Sequence, residues 1–461
     1  RCLIPVDVTG IDHLNMPSFS AAYPSLSEQP ANVPDAQKGG SNFCASSEWP
    51  REELRTLDHP LGKVAVIGHC FADDEVLRNT LEQAAALNQP ELLGKLTGNY
   101  AAVFLEPHRL SAVSGLAGPS IYYSESEGRT TISTSPLSAT QSAPIPDVRY
   151  ATARLIIPGA EGALLGEHSS FSGVRRLLGG QMLQATLHGN EVRTYEELRP
   201  DPTVTLAEAA ERLRGAIGNA LAARIGLGLP LSGDFSGGID SSSIAFRTSE
   251  QMEGATLPVF FSHRPGVNSG DEPYVERYLR LNDKLALQRV AAADASAQFS
   301  YQEFLDTPRP EDLALAINIS PNGWKYLDAY YRAVGSSGTR IHLTGDGGDE
   351  VLSVGTTYMA DLLRTNQLAR FAKEGIEWAR LNNTSPLKLW RRMATLAAAN
   401  PSEILRRTAQ QLEGDRKWRD GNGLWKTLGL GAAWLTGSAC KELAGLLHER
   451  ADQVALPEGF G

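Results

Sequence analysis

The sequence predicts a β-rich N-terminal domain over residues 1–200, followed over residues 201–461 by an α/β domain with a parallel sheet and a helical C-terminal part. Three observations predict this. Up to residue 200, short β-branched runs recur about every ten residues between turn signals, the rhythm of antiparallel sheets. Beyond residue 205, apolar β-rich runs alternate with helical stretches, the pattern of a sheet with crossover connections. From about Met359 the text is helical, with Leu, Ala, Trp and Arg at helical spacing. A length of 461 residues suits two or three domains at a prior of about 150 residues each.

The first fifty residues are poorly periodic and rich in Ser, Pro, Asn and Gly. Val64–Gly68 is a strand candidate, and residues 76–87 repeat apolar positions at helical spacing. Strands are expected at Tyr100–Leu105, Leu110–Val113, Ser120–Tyr123 and Thr130–Thr134, with a hairpin turn at His188-Gly189-Asn190. Past Pro200-Asp201-Pro202, Thr205 and Glu208 form a T-x-x-E capping box ahead of the stripe Leu206, Ala209, Leu213, Ile217 and Leu221. Strands over Leu231–Phe235, Leu257–Ser262, Leu285–Val290 and Arg340–Thr344 then alternate with helices from Ser241, over Asp271–Leu281 and around Tyr326–Val334.

Composition narrows the function. Hydrophobic residues make up 42% and charged residues 21%, a globular balance that excludes wholesale disorder. The 44 glycines and 26 prolines supply many turns without reaching a low-complexity composition. A net charge of −10 argues against nucleic acid or an anionic membrane as partner. Cys2, Cys44, Cys70 and Cys440 are widely spaced with no C-x-x-C pair, which speaks against a disulfide scaffold, a zinc ribbon or an iron–sulfur site. No apolar run nears the 18 residues of a membrane span and no signal-peptide pattern opens the chain, so a cytoplasmic enzyme is expected.

Two strings carry chemistry. Ser236-Gly237-Gly238-Ile239-Asp240-Ser241-Ser242 lies where a strand ends and a helix begins. Glycines there let the backbone approach an anion, and serine hydroxyls and helix amides point at it. Asp240 beside a phosphate chain makes sense as a Mg²⁺ ligand. The second string, Gly345-Asp346-Gly347-Gly348-Asp349-Glu350, follows the strand Arg340–Thr344. Three carboxylates among three glycines are costly unless a cation or substrate compensates them. Ligands in parallel sheets bind beyond strand C-termini, so both strings are expected to face one crevice, with Asp240 and Asp349 sharing Mg²⁺ on a triphosphate.

S-G-G-x-D-S with G-x-G-x-D-E about a hundred residues later resembles the asparagine synthetase-like family. The resemblance extends to Leu93–Val103, Gly118–Tyr123 and Asp271–Tyr274. It implies a glutaminase-type N-terminal domain of the Ntn αββα class, followed by a pyrophosphate-loop ATP-binding domain of the adenine nucleotide α-hydrolase type. It also implies ATP and Mg²⁺ as cofactors and activation of a carboxylate as its acyl-adenylate. Ser236, Gly237, Gly238, Asp240, Ser241, Ser242, Gly345 and Gly347 are then the nucleotide-binding candidates. Asp240 and Asp349 are the metal ligands, and Asp346 and Glu350 the catalytic candidates.

The N-terminal domain departs from working glutaminases. Cysteine is second, in Arg1-Cys2-Leu3-Ile4, and no R-G-P-D or N-G-E-I-Y-N string is found, so the domain is expected to be degenerate. Relatives of that kind close amides within one substrate. Asp234-Phe-Ser-Gly-Gly-Ile-Asp-Ser-Ser242 and Leu343–Leu352 are most similar to the corresponding strings of lasso peptide cyclases, and β-lactam synthetases carry Tyr at the position of Asp346. This resemblance implies a leader-free precursor peptide as substrate, with a leader-peptide-binding protein and a leader peptidase as partners, and neither nucleic acid nor membrane. The family's R-x-P-F-L-D segment and following lysine are not found before Gly461, and that segment is expected to be missing from the sequence. A β-lactam or carbapenam synthetase, a glutamine-dependent asparagine synthetase and an inactive nucleotide-binding scaffold are the alternatives. A tRNA-thiolating enzyme fits less well, for want of paired cysteines and a basic surface.

Among isolated residues, His69, His263 and His342 read as structural rather than as ligands, with Ser262 and His263 placed where a nucleotide base would pack. Trp390, Trp418 and Trp425 read as helix core, and Arg391-Arg392 and Arg406-Arg407 as solvated faces.

Overall fold

The computed structural model describes residues 19–23, 43–45, 49, 53–156, 164–199, 201, 203–263, 270–291, 330–352, 355–414 and 435–453. Cys2, Trp418, Trp425 and residues 326–329 lie outside them, and Asp349 and Glu350 are described by backbone alone. The described residues form two compact units, one within Arg1–Glu197 and Val354–Gly461, the other within Leu198–Arg309 and Ile319–Ser353.

Val64, Ala65, Val66 and Ile67 are all buried because their strand is covered on both faces. The first unit begins with β1 (Phe19–Tyr23), β2 (Phe43–Ala45), β3 (Leu54–His59), β4 (Gly62–Cys70), α1 (Asp74–Leu87), β5 (Gly98–Glu106) and β6 (Arg109–Ser114). It continues with β7 (Ile121–Ser126), β8 (Arg129–Ser133), α2 (Val148–Ile156), β9 (Val174–Leu177), β10 (Gln181–Thr186) and β11 (Gly189–Thr194). Two antiparallel sheets result, ordered β2-β1-β8-β7-β9 and β11-β10-β6-β5-β4-β3. Successive side chains of a strand point to opposite faces. Ala65 and Ile67 therefore join Phe19, Ile121 and Ile132 between the sheets, while Val64 and Val66 meet Leu77, Leu81 and Ala84 of α1 on the outside. Asp73 caps α1 by accepting from Val76 N–H at 2.8 Å. The β10–β11 hairpin closes at Thr186 and Gly189, where the turn is expected.

The second unit holds α3 (Leu206–Ile225), β12 (Leu231–Asp234), α4 (Ile239–Gln251), β13 (Leu257–His263), α5 (Glu272–Leu279), β14 (Leu285–Ala291), β15 (Ile341–Leu343) and the short α6 (Gly348–Leu352). Its four strands run parallel in the order β14-β13-β12-β15. The chain moves from β12 outward to β13 and β14, then returns to the other side of β12 as β15. Strand order thus reverses between β12 and β15, and the crevice beyond their C-terminal ends is where such sheets bind ligands. Phe235, Ala245, Val259, Phe261 and Val275 form the core. The capping box at Thr205 is present in full, with Thr205 N–H donating to Glu208 at 2.9 Å and Glu208 N–H to Thr205 at 3.3 Å. The apolar stripe of α3 behaves differently from a core stripe: Leu221 is 5% exposed, but Leu213 is 36% and Leu206 88% exposed.

Five helices return to the first unit: α7 (Tyr358–Arg364), α8 (Leu368–Leu381), α9 (Pro386–Ala397), α10 (Pro401–Glu413) and α11 (Gly437–Gln453). Met359, Leu389 and Met393 form one cluster, with Trp390 packed against it. Leu405, Leu412, Leu443 and Leu447 pack with Ala153 of α2 and with Leu164 and Leu165. Arg450 secures that contact, donating to the carbonyls of Leu164 at 2.8 Å and Leu165 at 3.0 Å. Arg406 pairs with Asp452 and Arg407 with Glu403 on exposed faces. Among the described residues no helix is long and apolar enough to cross a membrane.

Candidate functional site

The loop leaving β12 is built by its serines and glycines. Ser236 N–H donates to Ser241 Oγ at 3.1 Å, the two hydroxyls lie 3.0 Å apart, and Gly238 N–H donates to Ser236 Oγ at 3.2 Å. Gly237 has φ +81°, the left-handed region where glycine is favoured. A Cβ there would also come within 3.1 Å of Asp271 O and of Val275 Cγ2. The loop delivers the chain into α4, whose N-cap, Gly238, offers no side-chain hydrogen bond. The first amides of this 13-residue helix are therefore not capped by a side chain, and its partial positive charge faces the loop.

The second loop meets the first. An added Cβ on Gly345 would lie 2.7 Å from Ser241 N, and one on Gly348 would lie 2.7 Å from the Asp240 carboxyl carbon. The polypeptide after β15 thus passes directly over the start of α4. Gly345 is partly buried, whereas Asp346 and Gly347 are exposed. Gly347 has φ +88°, and among the described residues an added Cβ would meet nothing within 4 Å. Ser236, Gly237, Gly238, Asp240, Ser241, Ser242, Gly345, Gly347 and Asp346 are in this way gathered at the switch point of one sheet.

Two features bear on a polyphosphate with Mg²⁺. The Ser242 hydroxyl is buried and has no hydrogen-bond partner among the described residues, an arrangement that costs free energy unless a ligand supplies one. Asp240, in the first turn of α4, offers the hard carboxylate oxygens that Mg²⁺ prefers. Among the described residues no group of three metal-ligating side chains occurs. Asp240 would hold the ion with phosphate oxygens and with Asp349, whose side chain lies outside the described residues.

Beneath the loops lies a polar cluster that sequence reasoning did not assemble. His342 lies 2.8 Å from Asp234 Oδ1 and 2.7 Å from Ser232 Oγ, and Tyr330 OH also donates to Asp234. The available signal was the polar pair Ser232 and Asp234 at i and i+2 of a strand. At the end of β13, His263 Nδ1 is buried without a partner among the described residues. Its ring lies 6.4 Å from that of Phe261, nearly parallel. His69 faces Glu53 at 3.6 Å in the first unit.

Comparison with curated proteins returns no match. Among solved structures, a glutamine phosphoribosylpyrophosphate amidotransferase from B. subtilis, complexed with ADP and GMP, is 10% identical, with a TM-score of 0.23 over 66% of this chain and 76% of that one. A structure described as the allosteric regulatory enzyme of purine biosynthesis is 12% identical, with a TM-score of 0.21 over 52% of this chain and 63% of that one. Neither similarity carries an argument at those scores. Residues 212–427, somewhat under half the chain, match the asparagine synthase family; both loops fall inside that stretch, which supports, in general terms, an ATP-dependent amide-forming ligase.

Proposed function

We propose that the protein is a lasso peptide cyclase, which uses ATP to join a side-chain carboxylate of a leader-free precursor peptide to the peptide's own N-terminal amine. The observation that carries the ATP-dependent part is the meeting of the two loops at the switch point, with Gly345 against Ser241 and Gly348 against Asp240. The peptide part rests on the resemblance of Asp234–Ser242 and Leu343–Leu352 to lasso cyclase strings, and on Asp346 where β-lactam synthetases carry Tyr.

In this reading the Asp or Glu carboxylate of the peptide attacks the α-phosphorus of ATP. The bond to the bridging oxygen breaks, pyrophosphate leaves and an acyl-adenylate forms. The amine then attacks the acyl carbon, expelling AMP and losing a proton, so the peptide loses the elements of one water. The α4 amides, Ser236, Ser241 and the Ser242 hydroxyl hold the departing pyrophosphate, with the glycines allowing close approach. Asp240 and Asp349 would hold Mg²⁺, which would supply charge neutralisation on the phosphates. Asp346 and Glu350 are the candidates for contact with the reacting carboxylate and amine. Holding amine and adenylate together in the right orientation is worth up to about 7–11 kcal/mol. A leader-peptide-binding protein and a leader peptidase would deliver the trimmed peptide.

The test is incubation of the protein with Mg²⁺-ATP and a leader-free peptide encoded beside its gene, followed by mass spectrometry and AMP quantification. One water lost per AMP formed, abolished by Asp240→Ala, is the expected result. AMP formation with small β-amino acids but never with peptides would replace the peptide by a β-lactam-type substrate. Glutamate released from glutamine would indicate an asparagine synthetase. ATP binding with no AMP from any carboxylate would leave a nucleotide-binding scaffold.

A further inference from the structure

We infer that Asp234 and His342 are positioning residues: their contact across β12 and β15 sets the spacing of the two loops that meet above them. Ser232 and His342 are register partners in the β12–β15 pair. Asp234 lies two residues beyond Ser232 and hence on the same face of the strand. The imidazole of His342 spans both, with Nε2–H donating to Asp234 Oδ1 at 2.8 Å and Nδ1 lying 2.7 Å from Ser232 Oγ. A carboxylate only accepts hydrogen bonds, which fixes the direction of the first contact.

The location gives this link its consequence. Asp234 is the last residue of β12 and the Ser236 loop begins immediately after it; His342 stands three positions before Gly345. The link therefore joins the roots of the two loops, 108 residues apart in the chain. Aromatic rings pack around it. The rings of Phe260, Tyr330 and Tyr331 lie 5.8, 6.0 and 6.0 Å from that of His342, and the His342 side chain is 10% exposed. Tyr330 OH, donating to the same carboxylate oxygen, anchors a third segment to it. The Asp234 side chain is 23% exposed, so solvent would replace a severed contact only in part. With both ring nitrogens engaged by Ser232 and Asp234, His342 acts through the loops and not on the substrate.

The catalytic consequence rests on the adenylation proposed above, whereas the structural one does not, and the experiment separates them. Hydrogen exchange is followed by mass spectrometry on the full chain for wild type, Asp234→Ala, His342→Ala and His342→Gln. The glutamine amide can reproduce the Nε2 donor. Both alanine variants are expected to raise exchange at least tenfold in peptides covering 235–243 and, together with them, 343–350. Exchange in β4 and β5 should be unchanged, and His342→Gln should restore protection in both loops. Loosening of only the substituted strand, or no loosening, would overturn the coupling. If the wild type forms AMP, the alanine variants are expected to lose about 10²-fold in kcat with KM for ATP changed less than threefold, and the glutamine variant to recover most of that loss. Undiminished kcat in His342→Ala would overturn the positioning role. If the wild type forms no AMP, adenylation itself fails and the exchange result still decides the coupling.

Discussion

Gly345, Gly347 and Gly348 are glycines for three different reasons, which makes alanine substitution along the second loop a graded test of the site. At Gly345 the obstacle is backbone: a Cβ would lie 2.7 Å from Ser241 N and 3.1 Å from Ser241 Cα, against about 3.4 Å for ordinary contact. The loops must part by about 0.7 Å, because the helix-borne Ser241 amide has no flexible end to swing aside. Overpacking of that kind costs about 1–3 kcal/mol. A displacement approaching 1 Å between reacting groups can cost about 10²-fold in rate. Gly345→Ala is therefore expected to keep its fold and lose between about 10- and 100-fold in kcat for AMP formation. At Gly348 the Cβ would meet the Asp240 carboxyl at 2.7–3.0 Å, a side chain that can turn away, so Gly348→Ala should chiefly raise the Mg²⁺ concentration needed for half-maximal rate. At Gly347 no described residue stands within 4 Å of an added Cβ and φ +88° opposes a side chain, at about 1–2 kcal/mol, so Gly347→Ala should be the mildest in rate. The assay is AMP release under Mg²⁺-ATP titration, with thermal unfolding as the control on folding. A folded Gly345→Ala enzyme with wild-type kcat, or a Gly347→Ala enzyme worse than it, would refute the steric reasoning.

Ser242→Ala should leave stability unchanged or slightly higher, since its buried hydroxyl has no partner to lose among the described residues. Mg²⁺-ATP affinity measured by calorimetry should fall about tenfold or more, the scale of a hydrogen bond to a charged group; unchanged affinity would remove Ser242 from the site. Thr205→Ala should destabilise by about 0.5–2 kcal/mol in urea unfolding at pH 7, the usual cost of losing a cap. Hydrogen bonds from Thr205 N–H and the Thr205 hydroxyl hold the Glu208 carboxyl below its ordinary 4.5. That stabilisation is present above the ordinary value and is lost as pH falls through the lower folded one, so the gap between variant and wild type should narrow as pH falls below 4.5. A gap constant from pH 7 to pH 3 would show that the hydroxyl–carboxylate contact contributes nothing, because the backbone N–H of residue 205 still donates to Glu208 in the variant. Leu81→Ala, at a fully buried position of α1, should cost about 2–5 kcal/mol in the same unfolding assay, and a loss under 1 kcal/mol would mean that the helix collapses onto the space.

The sequence by itself determined whatever depends on near neighbours. The capping box at Thr205 joins residues three apart, the loop of Ser236–Ser242 is stapled by residues five apart, and the strands from β4 to β8 follow from short apolar and β-branched runs between turn signals. These features were legible because hydrogen bonds and periodicity over a few residues do not depend on what lies elsewhere. Tertiary structure decided the rest. The stripe of α3 satisfies a helical template along its whole length, yet only Leu221 is buried, because periodicity states which residues share a face and not whether anything covers it. Nothing local in Leu443 or Leu447 indicates that α11 packs with Ala153 and Leu164 of the same unit. The contact of Gly345 with Ser241 followed in outline from the rule that parallel sheets bind beyond their strand ends. The link between Asp234 and His342 did not, because it depends on which strand lies beside β12 and in what register. Register across a sheet is fixed by the packing of both faces at once, and no window along the chain contains that information.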